Sequence, residues 1–478
     1  MPQGTCGRMN PKGFKMLKSL LPKRRGDVNM TDGNIFRHII DFAIPLLFGN
    51  ILQQLYNMVD TWVVGNYVSN EAFAAVGSVG PIINVLIGTF MGFASGAGVV
   101  ISHYYGARDE DSVSTAVHTS MVVTLIFGVI FTALGILIAP YMVAFMKTPE
   151  NVVPVSVEYL TIYFSGVIGL VIYNMGAGIL RAVGDSQKPF IFIAICAIVN
   201  TVLDLVFVLI FDMGVAGVAL ATVIAQCTSG VLVVIELLRT KSCIKLSVKK
   251  LKVNFEFLKK IVRIGIPSAL QMMITSFSNV FVQSYINYFG DNCMSGYTAY
   301  NKIDQILLIP IQSVSLATTT FVGQNLGVGK TDRAKRGLRT SLSITLVTTA
   351  TMMIPVLIFA PQLVGFFNGK AEVVEIGAMF LRIISPFYIV CCVDMIFASA
   401  LRGAGNPKVP MFIMIGSYVV FRQIYLFVVS NFISNTIVPI IMAYPAGWLV
   451  ALIANLIYYK IKGLSPKNIT SKAEEKGT

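Results

Sequence analysis

A chain of 478 residues that is 55% hydrophobic, only 13% charged and has a mean hydropathy of +0.74 lies far outside the range of soluble globular proteins, and reads as an integral membrane protein. Its formal charge of +14 would suit nucleic acid, but the basic residues are spread over short stretches between apolar runs. Orientation in a bilayer and contact with anionic lipid account for them better, so nucleic acid is excluded as a partner.

The first 37 residues form a basic tail in which Phe14, Leu17, Leu20 and Leu21 interleave with Lys12, Lys15, Lys18 and Lys23. That pattern suits either a helix lying on the inner leaflet or an unstructured tail. No cleavable export signal is evident, because the first apolar run begins after the tail and carries Pro45, Gln53, Gln54 and Asp60. From there, charge-poor stretches of the length a bilayer requires predict twelve spanning helices. They lie near 38–66, 72–102, 115–138, 152–180, 189–211, 215–238, 264–289, 294–323, 340–365, 373–401, 410–431 and 437–459.

The twelve divide into two related halves. Ala139-Pro140 falls on Ala360-Pro361, Leu180-Arg181 on Leu401-Arg402, Gly106 on Gly327, Gly184 on Gly405 and Pro189 on Pro410, all at one constant shift. The expected organisation is a tail (1–37), a six-helix lobe (38–238), a basic linker (239–263), a second six-helix lobe (264–460) and a final tail (461–478). Membrane bundles duplicated in this way usually bind their cargo where the repeats meet.

Almost all of the 37 Lys and Arg fall on one side of the spans; Lys147 and Lys370 lie on the other, and Lys302, Arg382 and Arg422 sit within or beside spans. The positive-inside rule then puts both termini and the linker in the cytoplasm of a cell bounded by this membrane, plasma or inner. The seven cysteines show no zinc spacing and read as reduced packing residues.

Two acids lie at membrane depth in the first half. At 1.5 Å per residue Asp60 is about 33 Å and Asp204 about 22 Å from the inner ends of their spans. A charge there costs at least about 2.5 kcal/mol, so each needs a partner, a wet cavity or a task. Gln53, Tyr56 and Asp60 share one helix face through spacings of three and four, Asn200 and Asp204 are four apart, and Thr222 enters the sixth span at a comparable depth. Together they offer hard oxygens that suit a proton, or a sodium ion held by Asp60, Asn200, Asp204 and Thr222. The alternative is that the two acids only join helices by hydrogen bonds, a job more often given to Ser, Thr or Asn.

Twelve helices in two halves, Val59-Asp60-Thr61 late in the first span, the turn Arg181-Ala182-Val183-Gly184-Asp185 and the pair Asn200-x-x-x-Asp204 together resemble the multidrug and toxic compound extrusion (MATE) transporters, over about residues 38–460. The resemblance implies two lobes in a V, and export of organic, often cationic and amphipathic, compounds in exchange for a cation. It makes Asp60 and Asp204 the coupling carboxylates, with Tyr56, Asn200 and Thr222 around them and Asn174 a further polar member nearer the inner end of the fourth span.

The second half lacks that set, which assigns ion coupling to the first lobe alone. It has Lys302, Asp304, Asp394 and Arg422 instead. These are expected to neutralise one another in salt bridges, or else Asp304 or Asp394 lies on the path of a cationic cargo, with Gln53 and Asn174 lining the cavity and Lys302 nearby. The loops around Gly106 and Gly327 lack the phosphate-cradle pattern, so no ATP is expected. The three histidines, His38, His103 and His118, lie near the inner boundary with no catalytic company, which argues against an enzyme. A flippase or exporter of a lipid-linked or other metabolite is the competing reading. No cofactor beyond the coupling ion is expected, and the chain should act as a monomer.

Overall fold

The computed structural model describes residues 28–145 and 150–464, and is helical throughout, with no strand among the described residues. The expectation for the 12–23 segment, the side assigned to Lys147 and most of the final tail lie outside them.

The spans follow in chain order. The first lobe has Ile35–Tyr67, Asn70–Gly106, Glu110–Phe145, the pair Val153–Ser165 and Val167–Ala182, Gln187–Leu205 prolonged by a π-helical turn Val206–Ile210, and Gly214–Arg239. The second has Phe255–Asn287, Asp291–Gly327, Thr331–Ile358 with Ala360–Gly365, Ala371–Ile384 with Tyr388–Gly403, a π-interrupted span from Lys408 to Ile433, and Ile437–Ile441 with Ala443–Lys462. Among the described residues ten helices are long and apolar enough to cross a membrane, and the pair broken before Val167, bent by 48°, makes eleven. The seventh span, Phe255–Asn287, is 33 residues long but is diluted by Ser268, Gln271, Thr275 and Asn279, so it takes its place by packing rather than by hydropathy.

Local chemistry sets the boundaries. Asn34, Ser69 and Asn254 cap the helices that follow them, the Asn34 side chain accepting from the Arg37 amide at 3.1 Å and that of Ser69 from the Ala72 amide at 3.1 Å. The bend in the fourth span falls at Gly166, which lies so close to the Val223 side chain that an added Cβ would come within 2.3 Å of it.

Packing divides by depth. Far from the basic face each lobe has a core of its own, one around Val63, Phe90, Tyr163 and Val218, the other around Tyr297, Tyr300, Phe380 and Trp448. At the basic face the cores are shared. Phe257, Ile261 and Ile264, from the start of the seventh span, are buried among residues of the first lobe, while Met30, just before the first span, and Ile39 and Phe42, at its start, are buried among Phe321, Leu338 and Leu401 of the second. The second and seventh spans meet where Gly92 faces Ala269 and Gly96 faces Gly265, with no room for a Cβ on either glycine. Farther out on the second span, Gly77 and Gly80 have nothing within 4 Å of a Cβ position. The lobes therefore close at the basic face and part toward the other.

Two side chains tie this closed end. His103 Nε2 donates to the carbonyl of Gly403 at 2.7 Å, and Gln324 Nε2 donates to the carbonyl of Ala182 at 2.9 Å.

Candidate functional site

A cavity of about 290 Å³ lies inside the first lobe. The first span brings Gln53, Tyr56, Asn57 and Asp60 to it because residues three and four apart stack on one helix face. Thr222 and Asn174 also line it, from the sixth and fourth spans. Asn200 and Asp204 are buried against Asp60, 1% and 0% exposed, and are not themselves among the lining residues.

Asp60 faces Asp204, with Asn200 beside it. Oδ1 of Asp60, both carboxyl oxygens of Asp204 and both amide atoms of Asn200 are buried without a hydrogen-bond partner of normal geometry. Buried polar groups are nearly always paired, and two facing carboxyls with oxygens left unpaired call for a proton or a positive charge. A shared proton or a small cation would supply it. The Thr222 hydroxyl donates to the carbonyl of Val218 at 3.0 Å, which leaves its oxygen free to accept or to ligate. Asn174 lines the cavity with its amide nitrogen donating to the carbonyl of Leu170 at 2.9 Å. Among the described residues no cluster of three or more His, Cys, Asp or Glu could hold a metal, and an alkali ion here would depend on amide and hydroxyl oxygens beside the two acids.

The sequence reading missed part of this wall. Tyr159 stands near both acids, Tyr163 accepts from Gln226 Nε2 at 3.3 Å, and Ser229 completes the polar face of the sixth span. The signal was available: Thr222, Gln226 and Ser229 are spaced four and three, the same rule that grouped Gln53, Tyr56 and Asp60. Arg181 was also missed, and it lines the same cavity at the basic end. The cavity thus has acids at one end and a guanidinium at the other.

The salt bridges expected in the second lobe do not form. Among the described residues no ion pair joins Lys302, Asp304, Asp394 or Arg422. Asp304 accepts from Tyr300 at 3.3 Å and from the Tyr388 hydroxyl, and Asp394 accepts from Asn455 Nδ2 at 2.7 Å and Tyr418 at 3.2 Å. Arg422, 1% exposed, has its guanidinium 4.8 Å from the ring centres of both Tyr418 and Tyr444 and donates to Ser278 at 3.4 Å and Asn279 at 3.3 Å. Tyrosines replace ions as partners because each brings a donor and a ring face together with apolar bulk, which a span tolerates better than a second charge. Lys302 is exposed.

Two lobes that close at one face, part at the other and enclose a polar cavity within an apolar bundle define a membrane transporter. The MatE family model matches residues 45–206 and 267–428, one match in each half, and the chain belongs to that family of multidrug transporters. It is 28% identical over 434 residues to the probable multidrug resistance protein YoeA of Bacillus subtilis (strain 168), covering 89% of this chain and 94% of that one. It is 24% identical over 383 residues to the FAD transporter of Shewanella oneidensis, covering 78% and 83%. Among solved structures it superposes with a TM-score of 0.87 on a MOP superfamily transporter from Pyrococcus furiosus, at 22% identity, over 94% of this chain and 99% of that one. It also superposes on an outward-facing multidrug resistance MATE transporter, with a TM-score of 0.87 at 23% identity, over 93% and 100%.

Proposed function

We propose that this multidrug-family transporter is a secondary antiporter that takes up a cation, a proton or sodium, and expels an organic compound, with the basic face and both termini in the cytoplasm. The observation that carries this reading is the pair Asp60 and Asp204, which face each other with one oxygen of Asp60 and both of Asp204 unpartnered, while Asp304 and Asp394 of the second lobe are hydrogen-bonded. In the state with the basic face closed, the outer medium supplies the cation to the pair, and cargo leaves the cavity beside it. The loaded protein then opens to the cytoplasm and discharges the ion. Linkage requires the cation to weaken cargo binding by the factor by which cargo weakens cation binding. Tyr56, Tyr159, Tyr163 and Tyr173 give the cavity the aromatic walls that suit a cationic amphiphile. The monomer is sufficient for this cycle.

Purified protein in proteoliposomes, driven by a sodium gradient at equal pH and then by a pH gradient without sodium, separates the two ions. Wild-type export by Asp204→Asn under either gradient would overturn the assignment of the site.

Arg181 favours a second reading. A guanidinium at the basic end of the same cavity would hold a carboxylate or phosphate, and a relative is named for transport of a flavin nucleotide. On that reading the cargo is a zwitterionic or anionic metabolite. Competition of export by an organic cation against a flavin nucleotide decides between them.

A further inference from the structure

The segment Val28–Asp32, just before the first span, lies across the seam between the lobes. The Val28 amide donates to the carbonyl of Val183, in the first lobe, at 3.0 Å. Two residues on, the Met30 amide donates to Oε1 of Gln324, in the second lobe, at 2.9 Å, and the Met30 side chain is buried in the second lobe's core. The Met30 carbonyl accepts from Arg333 Nη2 at 3.2 Å and from Asn325 Nδ2 at 3.3 Å. The Asp32 carbonyl accepts from Arg333 Nη2 at 2.9 Å, and its carboxylate pairs with Lys330 at 2.7 Å.

Gln324 is fully buried, and its one amide serves three bodies. Its nitrogen holds the first lobe through Ala182, its oxygen holds the strap through Met30, and its backbone belongs to the second lobe. The strap runs directly into the first span at Ile35, yet most of its hydrogen bonds go to the second lobe. The lobes cannot separate at the basic face while those bonds hold, because the start of the first span is tethered to the lobe it must leave.

We propose that Gln324 is the gating residue of the basic face and that the Val28–Asp32 strap is the latch that locks it, so that undocking of the strap from Arg333 and Lys330 precedes opening on that side. This goes beyond the antiport reading: it requires that the chain alternates between two open faces, whichever cation or cargo is used. The strap satisfies the buried oxygen of Gln324, and when it leaves, the same amide loses the partner that fixes its orientation toward Ala182. Release of the strap therefore weakens the link between the lobes, and the two steps are coupled.

The test uses the full chain with its native cysteines replaced. Spin labels at Glu110→Cys and Arg339→Cys, both exposed on the basic face in opposite lobes, report its opening. Arg333→Ala loosens the strap without touching the lobe-to-lobe bond, and is expected to raise the open fraction about tenfold, the effect of losing the net equivalent of one or two hydrogen bonds. Gln324→Glu keeps the acceptor for Met30 and loses the donor to Ala182, and is expected to do the same with the strap still docked. In a second sample, Asp32→Cys and Lys330→Cys joined by a short reducible bifunctional reagent should hold the label distance at its closed value and stop export, and reduction should restore both. An unchanged open fraction in Arg333→Ala, or export and opening by the linked protein at the unlinked rate, overturns the proposal. Label distances do not depend on the identity of cation or cargo, so failure here leaves the antiport reading standing, and the reverse.

Discussion

His103 and Gln324 occupy equivalent positions in the two repeats, and so do the carbonyls they bind, Ala182 and Gly403. Each second span of a half sends one buried polar side chain across the seam to the end of the fourth span of the other half. The closed face is therefore held by one interaction written twice, with an imidazole in one copy and an amide in the other.

Removing either donor leaves a buried carbonyl unserved, at a cost of about 1–3 kcal/mol. His103→Leu and Gln324→Leu should each lower the melting temperature of the protein with its basic face closed and raise its open fraction on that face. If both bonds break in one opening step, their free-energy costs should add in the double variant, and a departure from the sum measures the coupling between them.

Beside these bonds the backbones touch. A Cβ on Gly106 would lie 2.0 Å from the Gln324 carbonyl oxygen, and one on Gly327 would lie 2.0 Å from that of His103. Gly106→Ala and Gly327→Ala should therefore keep the basic face from closing and abolish transport, while Gly77→Ala, with open space around it, should export at the normal rate. Reactivity of an engineered cysteine in the seam toward a thiol reagent, applied from each side in turn, reads this directly.

The acids of the two lobes should respond in opposite ways. Asp204→Asn removes the titratable group while keeping its shape, so gradient-driven export should fall at least about 100-fold, two decades per 2.7 kcal/mol, with thermal stability little changed. Asp394→Leu strands Asn455 and the Tyr418 hydroxyl, and should cost about 1–3 kcal/mol in stability. Unfolding monitored by tryptophan fluorescence, beside transport, separates the two.

The strap carries its own pH dependence. Asp32 lies outside the spans, and its hydrogen bond and ion pair with Lys330 hold its carboxyl below the usual aspartate range. A lowered value means that the contact is fully present above the ordinary range and is lost only as pH falls through the lowered one. Docking of the strap through Asp32 should thus be constant from pH 8 to pH 5, and any opening of the basic face in that window must come from other groups. The label pair at Glu110 and Arg339, measured with Asp60→Asn in place, checks it.

Much of this architecture was legible in the chain. Apolar runs, the constant shift and the side on which Lys and Arg fall yield two related six-helix halves before any coordinates, and helical spacing alone groups Gln53, Tyr56 and Asp60. What spacing does not carry is the third dimension of a bundle. Whether Asp304 meets a cation or Tyr388 depends on how two distant helices rotate, and nothing local in either sequence states it. The seventh span escapes a hydropathy scan because part of its surface is turned to protein. Arg181 sits in a turn motif, and its place in the cavity depends on the path of the fourth span, bent at Gly166.

The starts of the first and seventh spans are each buried in the opposite lobe, so neither half is complete alone. A single six-helix unit, if such a thing preceded the duplication, would have achieved the same burial only by lending its leading helix to a twin, as swapped dimers do. Fusion of two copies made that loan permanent. It also means that a ribosome must deliver the eighth through tenth helices before the base of the first can find its place, and that separately expressed halves should associate far more readily than either should persist by itself.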